Sequence, residues 1–139
     1  MRYPELMIAP LRAEVTRMGA RELRTPEDVD RFLDEHRGQD ALVVVNSVCG
    51  CSAGTMRPAL EALHEEGALP AAFGTVFAGA DLEATEHVRA LHAPIPPSSP
   101  AIIVFRDRQP AFMLQRHEIQ GRPPEQVAEA LRNGLNSTV

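Results

Sequence analysis

Lysine is missing from all 139 residues, and each of the 14 basic side chains is an arginine. The arginines are scattered, and 19 acidic residues bring the formal charge to −5, so a nucleic-acid-binding surface has no support. Long hydrophobic runs are missing too. The longest, such as Ala41–Val45 and Ala101–Phe105, cover five residues, where a membrane span needs roughly 20. Arg2, Glu5, Arg12 and Glu14 break up the first stretch, which is unlike a secretory leader, so a cytoplasmic protein is expected. Cysteine is scarce: two residues, Cys49 and Cys51, separated only by Gly50. Persistent structural disulfides are rare in the cytoplasm, so a close pair there points to redox chemistry or to a metal. No internal repeat or low-complexity linker divides the chain. One domain over 1–139 is expected, with 1–19 as a helical N-terminal extension, and a 44% hydrophobic content suffices for a core.

What is present falls into alternating helical and extended patterns. Met7, Ile8, Leu11, Val15 and Met18 recur at helical spacing within Tyr3–Met18, with Pro10 expected to start or kink the helix and Gly19 to close it. Arg21–Arg24 reads as a short edge strand. Thr25-Pro26-Glu27-Asp28 is a helix start: a capping hydroxyl, a proline at the first helical position and two acids at the positive end of the dipole. Val29, Phe32, Leu33 and a half-buried His36 share one face, and Gly38 ends that helix. Ala41–Ser47 is a strand apolar on both faces, as at the centre of a covered sheet. The helix after the cysteines runs to about Glu66, with Met56, Leu60 and Leu63 inward and a kink expected at Pro58. Phe73–Gly79 is a strand, and Asp81 is placed to cap a helix over Leu82–Leu91. Four prolines in Pro94–Pro100 exclude regular structure before the strand Ala101–Arg106. A turn at Asp107–Pro110 and a returning strand Ala111–Gln115 complete a hairpin, and Val127, Ala128, Leu131 and Leu135 form the inner face of a last helix. Helices between strands imply parallel pairing and the hairpin an antiparallel edge. The expected architecture is thioredoxin-like α/β: a mixed sheet of four to five strands flanked by helices, with an extra N-terminal helix.

The cysteines therefore sit where a buried strand turns into a helix. Unpaired N–H groups and the positive dipole end favour thiolate there. Cys49, nearer the strand end and expected to be the more exposed, is the candidate nucleophile; Cys51, at the first helical turn, is the candidate resolving or tuning thiol. Residues two apart in extended chain are roughly 6.5–7 Å apart at Cα, whereas a disulfide prefers about 5.5–6 Å. Closing the pair needs a bend, which Gly50 permits. The small ring is strained, a strained disulfide favours the dithiol, and such a pair suits accepting a mixed disulfide better than general reduction. Two other readings stand beside this one. The cysteines can be buried and inert. They can also supply two of the four ligands that zinc or an iron–sulfur cluster needs, with only His117 available to join them in space.

Three further residues follow from the order of elements. The Ser99–Pro100 bond opens a strand, where an X–Pro bond can be cis; in a thioredoxin-like fold that loop lies beside the cysteines, and a cis bond would aim the Ser99 backbone at a bound peptide or thiol. The hairpin's first strand starts near the cysteines, so its second must end near them. That returns Arg116, a candidate for holding a carboxylate, and His117, a candidate for stabilising thiolate or moving a proton, with solvated surface as the alternative. No acid lies between Asp40 and Cys49, so the strand offers no carboxylate base. His64, His87 and His92 read as helix-surface residues.

VVVNSVCGCSAGTMRP, the SSP at Ser98–Pro100 and RHEIQG at Arg116–Gly121 together resemble the bacilliredoxin family, and the resemblance runs from Tyr3 to about Leu135. It implies a thioredoxin-fold enzyme that removes bacillithiol from protein mixed disulfides formed under oxidative stress. Cys49 would attack the bacillithiol sulfur, free the client cysteine and carry the adduct, and Cys51 or a second thiol would displace it. No cofactor is implied beyond bacillithiol as the substrate thiol. The implied partners are bacillithiolated client proteins, bacillithiol and a flavin-dependent reductase for recycling. A general disulfide oxidoreductase or isomerase, and a metal-binding module, are the rival readings.

Overall fold

The computed structural model describes residues 2–137, with side chains through Leu135. The ends of the expected domain, Met1, Thr138 and Val139, lie outside the described residues. The elements are α1 (Glu5–Thr16), β1 (Arg21–Glu22), α2 (Pro26–Glu35), β2 (Ala41–Asn46), a π-helical turn (Ser52–Met56) running into α3 (Arg57–Glu65), β3 (Phe73–Phe77), α4 (Leu82–Leu91), β4 (Ala101–Arg106), β5 (Gln109–Leu114), α5 (Arg116–Ile119) and α6 (Pro124–Ser137). One five-stranded sheet has the order β1-β3-β2-β4-β5. β1 and β2 flank β3 in parallel; β4 is antiparallel to β2, and β5 to β4.

All six residues of β2 are buried, as its continuous apolar pattern requires of a central strand covered on both faces. Successive side chains point to opposite faces, so the strand feeds two cores. Leu42 and Val44 join Met56, Leu60, Val127 and Leu131 on the side of α3 and α6. Val43 and Val45 join Val29, Phe32, Val76 and Val88 on the side of α2 and α4. The α2 start is as expected, with Thr25 Oγ1 accepting from the Asp28 amide at 3.0 Å. His36 is half-buried, its ring edge-on to Phe32.

The structure departs from expectation where polar side chains or prolines occupy positions that periodicity treats as apolar or forbidden. Pro10 lies inside α1 and neither starts nor ends it. Met7 is 54% exposed, and the inward stripe is Ile8, Arg12 and Val15. Arg12 can face inward because Asp81 meets it: both are 6% exposed, and two parallel hydrogen bonds join them at 2.8 and 2.9 Å. Asp81 makes no side-chain cap for α4; its Oδ2 accepts from the Phe77 amide at 3.0 Å and binds Arg12. Asp81 and Glu5 hold the Arg12 guanidinium above its ordinary range against the opposing effect of burial. His92 is buried, not on the surface, with Nδ1 3.1 Å from the Ile95 carbonyl, and His87 lies 2.8 Å from Asp30. The hairpin turn is tighter than expected. Asp107 and Arg108 both have positive φ, as a two-residue hairpin turn requires, and Pro110 lies within β5, where an edge strand and an irregular register at Phe105 tolerate a missing N–H.

Removing one partner of the buried pair strands a charge, which costs about 3 kcal/mol. Asp81→Ala is therefore expected to lower the unfolding free energy by about that amount in urea titrations, whereas Arg31→Ala, whose ion pair with Asp28 is exposed, is expected to change it by less than about 0.5 kcal/mol.

Candidate active site

The cysteines lie just beyond the C-terminal end of β2, and the chain between is held by two uncharged polar side chains and one arginine. The Asn46 carboxamide donates to the Leu11 carbonyl of α1 at 3.2 Å and accepts from the Ser47 amide and from Arg57 Nη1, each at 2.9 Å. Arg57, 5% exposed, also donates to the Ser47 carbonyl and pairs with Glu14 at 3.0 Å. Ser47 Oγ accepts from the Cys49 amide at 3.2 Å and lies 2.7 Å from Ser52 Oγ. Pro58, expected to kink the helix, follows the π-helical turn: the Arg57 amide reaches back five residues to the Ser52 carbonyl. Proline brings no amide hydrogen of its own, and a π turn is a common way for a helix to absorb such a break.

Gly50 and Cys51 form the first helical turn. This turn carries Cys51 Sγ to 3.0 Å from Cys49 Sγ. The bend expected to need glycine is thus right-handed helical backbone, and a Cβ at Gly50 would meet no atom within 4 Å. Cys49 and Cys51 are both free and both half-buried, so exposure does not distinguish them. Hydrogen bonding does. The hydrogen bond from the Cys51 thiol holds Cys49 below the usual thiol range, helped by the Cys51 amide at 3.4 Å, the Arg116 guanidinium and the Ser52 amide, and opposed by burial. Burial and the neighbouring Cys49 sulfur push Cys51 the other way. One thiol is thereby set up as thiolate and the other as its proton-bearing partner.

Two clefts flank the pair. One, about 330 Å³, is lined by Cys49, Ser47, Ser99, Arg89, Arg116 and Tyr3, among others. The other, about 400 Å³, is lined by Cys49, Gly50, Cys51, Thr55, Arg116 and Gln120, with Gly121. The hairpin register explains how Arg116 gets there. Ala101 pairs with Val45 and Ile102 with Leu114, so the start of β4 and the end of β5 both lie at the cysteine end of β2. Arg116 then opens α5, its amide donating to Ser98 Oγ at 3.1 Å and its Nε to Gln120 Oε1 at 3.3 Å. The Ser99–Pro100 bond is cis, as is Ala93–Pro94; Pro100 is buried and Ser99 lines the first cleft. His117 lines neither cleft, whereas its neighbour Arg116, exposed like it, lines both, because consecutive helical residues diverge around the axis. Among the described residues, no group of three His, Cys, Asp or Glu side chains could hold a metal, and neither cleft is lined by an acid. Tyr3 and Arg89 escape sequence reasoning. Tyr3 is placed by its backbone N–H, which donates a hydrogen bond to the Gly79 carbonyl at 3.0 Å, and by packing on Gly79, where a Cβ would come within 2.6 Å of the ring. Arg89 is one polar residue on a helix full of them, and no sequence signal marks it.

A Cys-x-Cys pair opening the helix after the central strand of this sheet defines a thiol–disulfide oxidoreductase of the thioredoxin fold. The fold is shared with the solved thioredoxin of Fasciola hepatica, at a TM-score of 0.57 and 17% identity over 84% of this chain and 97% of that one. In sequence the chain matches the disulphide isomerase family over residues 3–138. It is 47% identical to a bacilliredoxin of Salinibacter ruber over 94% of this chain and 78% of that protein, and 45% identical to one of Cytophaga hutchinsonii over 94% and 95%. The chain belongs to the bacilliredoxin family. No helix among the described residues is long and apolar enough to cross a membrane.

Because thiolate is the reacting form, the rate of Cys49 alkylation by iodoacetamide follows its ionisation. Its midpoint is expected below that of an ordinary cysteine. Cys51→Ala and Arg116→Gln should each move the midpoint to higher pH, Cys51→Ala the further, while His117→Ala leaves it in place; peptide mass mapping across a pH series reads all four. Gly50→Ala is expected to retain the Cys49 midpoint, since helical backbone accepts alanine without strain.

Proposed function

We propose that the protein removes bacillithiol from mixed disulfides on client proteins. The observation that carries this reading is the asymmetric pair: a Cys49 favoured as thiolate, 3.0 Å from a Cys51 that keeps its proton, between two separate clefts. Cys49 thiolate attacks the bacillithiol sulfur. The bacillithiol–client bond breaks, a Cys49–bacillithiol bond forms, and the client leaves as thiolate and takes a proton from solvent. Cys51, once deprotonated, attacks Cys49 Sγ; a Cys49–Cys51 bond forms and bacillithiol leaves as thiolate. The sulfurs start close enough that a small movement reaches the disulfide length of about 2.05 Å. The oxidised pair needs two electrons to return to dithiol, which a further thiol or a flavin-dependent reductase supplies. Ser99 and Arg116 line the cleft beside Cys49 and contact the incoming disulfide. Under this reading the enzyme works in the cytoplasm on bacillithiolated proteins, with no nucleic acid or membrane involved.

The test is mass spectrometry of Cys51→Ala mixed with a client carrying a bacillithiol mixed disulfide. The expected product is bacillithiol on Cys49 with the client thiol released. Capture of Cys49 on the client instead would replace this reading with that of a general disulfide oxidoreductase or isomerase.

A further inference from the structure

The cleft that touches Cys49 but not Cys51 carries positive charge that the protein does not neutralise. Among the described residues, ten of the fourteen arginines form ion pairs with carboxylates. Arg17, Arg89, Arg116 and Arg122 form none. Two of these four, Arg89 from α4 and Arg116 from α5, line this one cleft, which has no acidic residue in its wall. Arg89 Nε is buried without a hydrogen-bond partner. A buried guanidinium N–H with no acceptor is costly to a protein, and native structures satisfy nearly all such groups. Two cations sharing a cavity repel each other, so the arrangement is favourable when an anion lies between them. The volume, about 330 Å³, suits a small molecule and not a folded client. Displacement at sulfur runs along the S–S axis, so the thiol that leaves Cys49 under attack by Cys51 departs on the side away from Cys51, and this is the one of the two clefts that Cys51 does not line.

We propose that this cleft binds the carboxylate-bearing end of the small thiol carried on Cys49, with Arg89 as the specificity-determining residue and Arg116 as the second cation. The inference rests on the reading of Cys49 as acceptor of a low-molecular-weight thiol. Arg116 serves two ends, since it also favours the Cys49 thiolate. A change in Cys49 ionisation alters the rates with a charged and a neutral reagent alike, so the ratio of the two on substituting Arg89 reads recognition.

Two measurements on the full chain separate the cleft from the transfer chemistry. The first is the ratio of Cys49 alkylation rates with iodoacetate and with iodoacetamide, which share a leaving group and differ in charge. The second is the ratio of transfer rates onto Cys49 from client mixed disulfides of mercaptosuccinate, a dianion, and of 2-mercaptoethanol, which is neutral. Arg89→Gln is expected to lower each anionic-to-neutral ratio about tenfold relative to the natural protein, the scale of one charge-assisted hydrogen bond, and Arg89→Lys to restore most of it. Ratios that agree within twofold among the three proteins would overturn the proposal. Transfer of both thiols with no Arg89 dependence removes the cleft and leaves the transfer reading standing. An Arg89-dependent alkylation ratio in a protein that accepts neither thiol supports the anion cleft and removes the transfer reading.

Discussion

One carboxamide holds the site in register. Asn46 is 1% exposed and binds three elements at once: the Leu11 carbonyl of α1, the Ser47 amide that follows β2, and Arg57 at the start of α3. The segment that carries the thiols inherits its position from that junction. Ser47, fixed by Asn46, in turn accepts the Cys49 amide and reaches Ser52. An amide serves here where a carboxylate would not. Charge on residue 46 would sit a few residues from Cys49 and favour its protonated form, whereas the amide supplies both a donor and an acceptor without charge. The acid that reaches this junction, Glu14, is paired with Arg57.

The division of labour between the thiols follows from one helical turn. Two cysteines in similar burial would otherwise ionise alike. Placing Cys51 in the first turn points its amide and its thiol at Cys49 Sγ, so the hydrogen bonds that lower one thiol leave the other holding a proton. The π turn that follows supports this arrangement. With five residues per backbone bond instead of four, it keeps Ser52 and Met56 buried before Pro58 while the regular part of α3 begins at Arg57. The chain can thus carry a proline early in the helix without moving the cysteines off the end of the strand.

Most of the fold was legible because it rests on period and punctuation. The β2 run, the Thr25 cap and the inward faces of α2, α3 and α6 all appear in the structure where spacing put them. The N-terminal helix was legible in extent and partly in facing: Ile8, Val15 and Met18 are buried where spacing put them, and Met7 is not. Periodicity cannot tell that Arg12 is inward, because its acceptor, Asp81, lies 69 residues away; the same contact removed Asp81 from its expected capping role. The site divides along the same line. The thiols and the Ser99–Pro100 loop are local features, and the arrival of Arg116 follows from hairpin arithmetic. That arithmetic has a resolution of about one residue, and His117 fell on the wrong side of it once α5 began. Arg89 and Tyr3 reach the cleft only through packing of separate elements, which leaves no mark in local sequence.

The arginine-only composition acquires meaning once the partners are known. As a tally, 14 arginines against 19 acids describe an unremarkable acidic protein. In space, many of the acids are held by arginines, in pairs such as Arg12–Asp81, Arg108–Asp30 and Arg132–Glu66. The cysteine end of the sheet is left free of carboxylates along both clefts. That segregation leaves the Arg116 charge free to favour the Cys49 thiolate and keeps a negatively charged thiol from being repelled by the net charge of −5. At physiological ionic strength the Debye length is about 8 Å, so a ligand in the cleft feels the two arginines that line it far more than the acids across the molecule. Local placement, and not net charge, decides what this surface attracts.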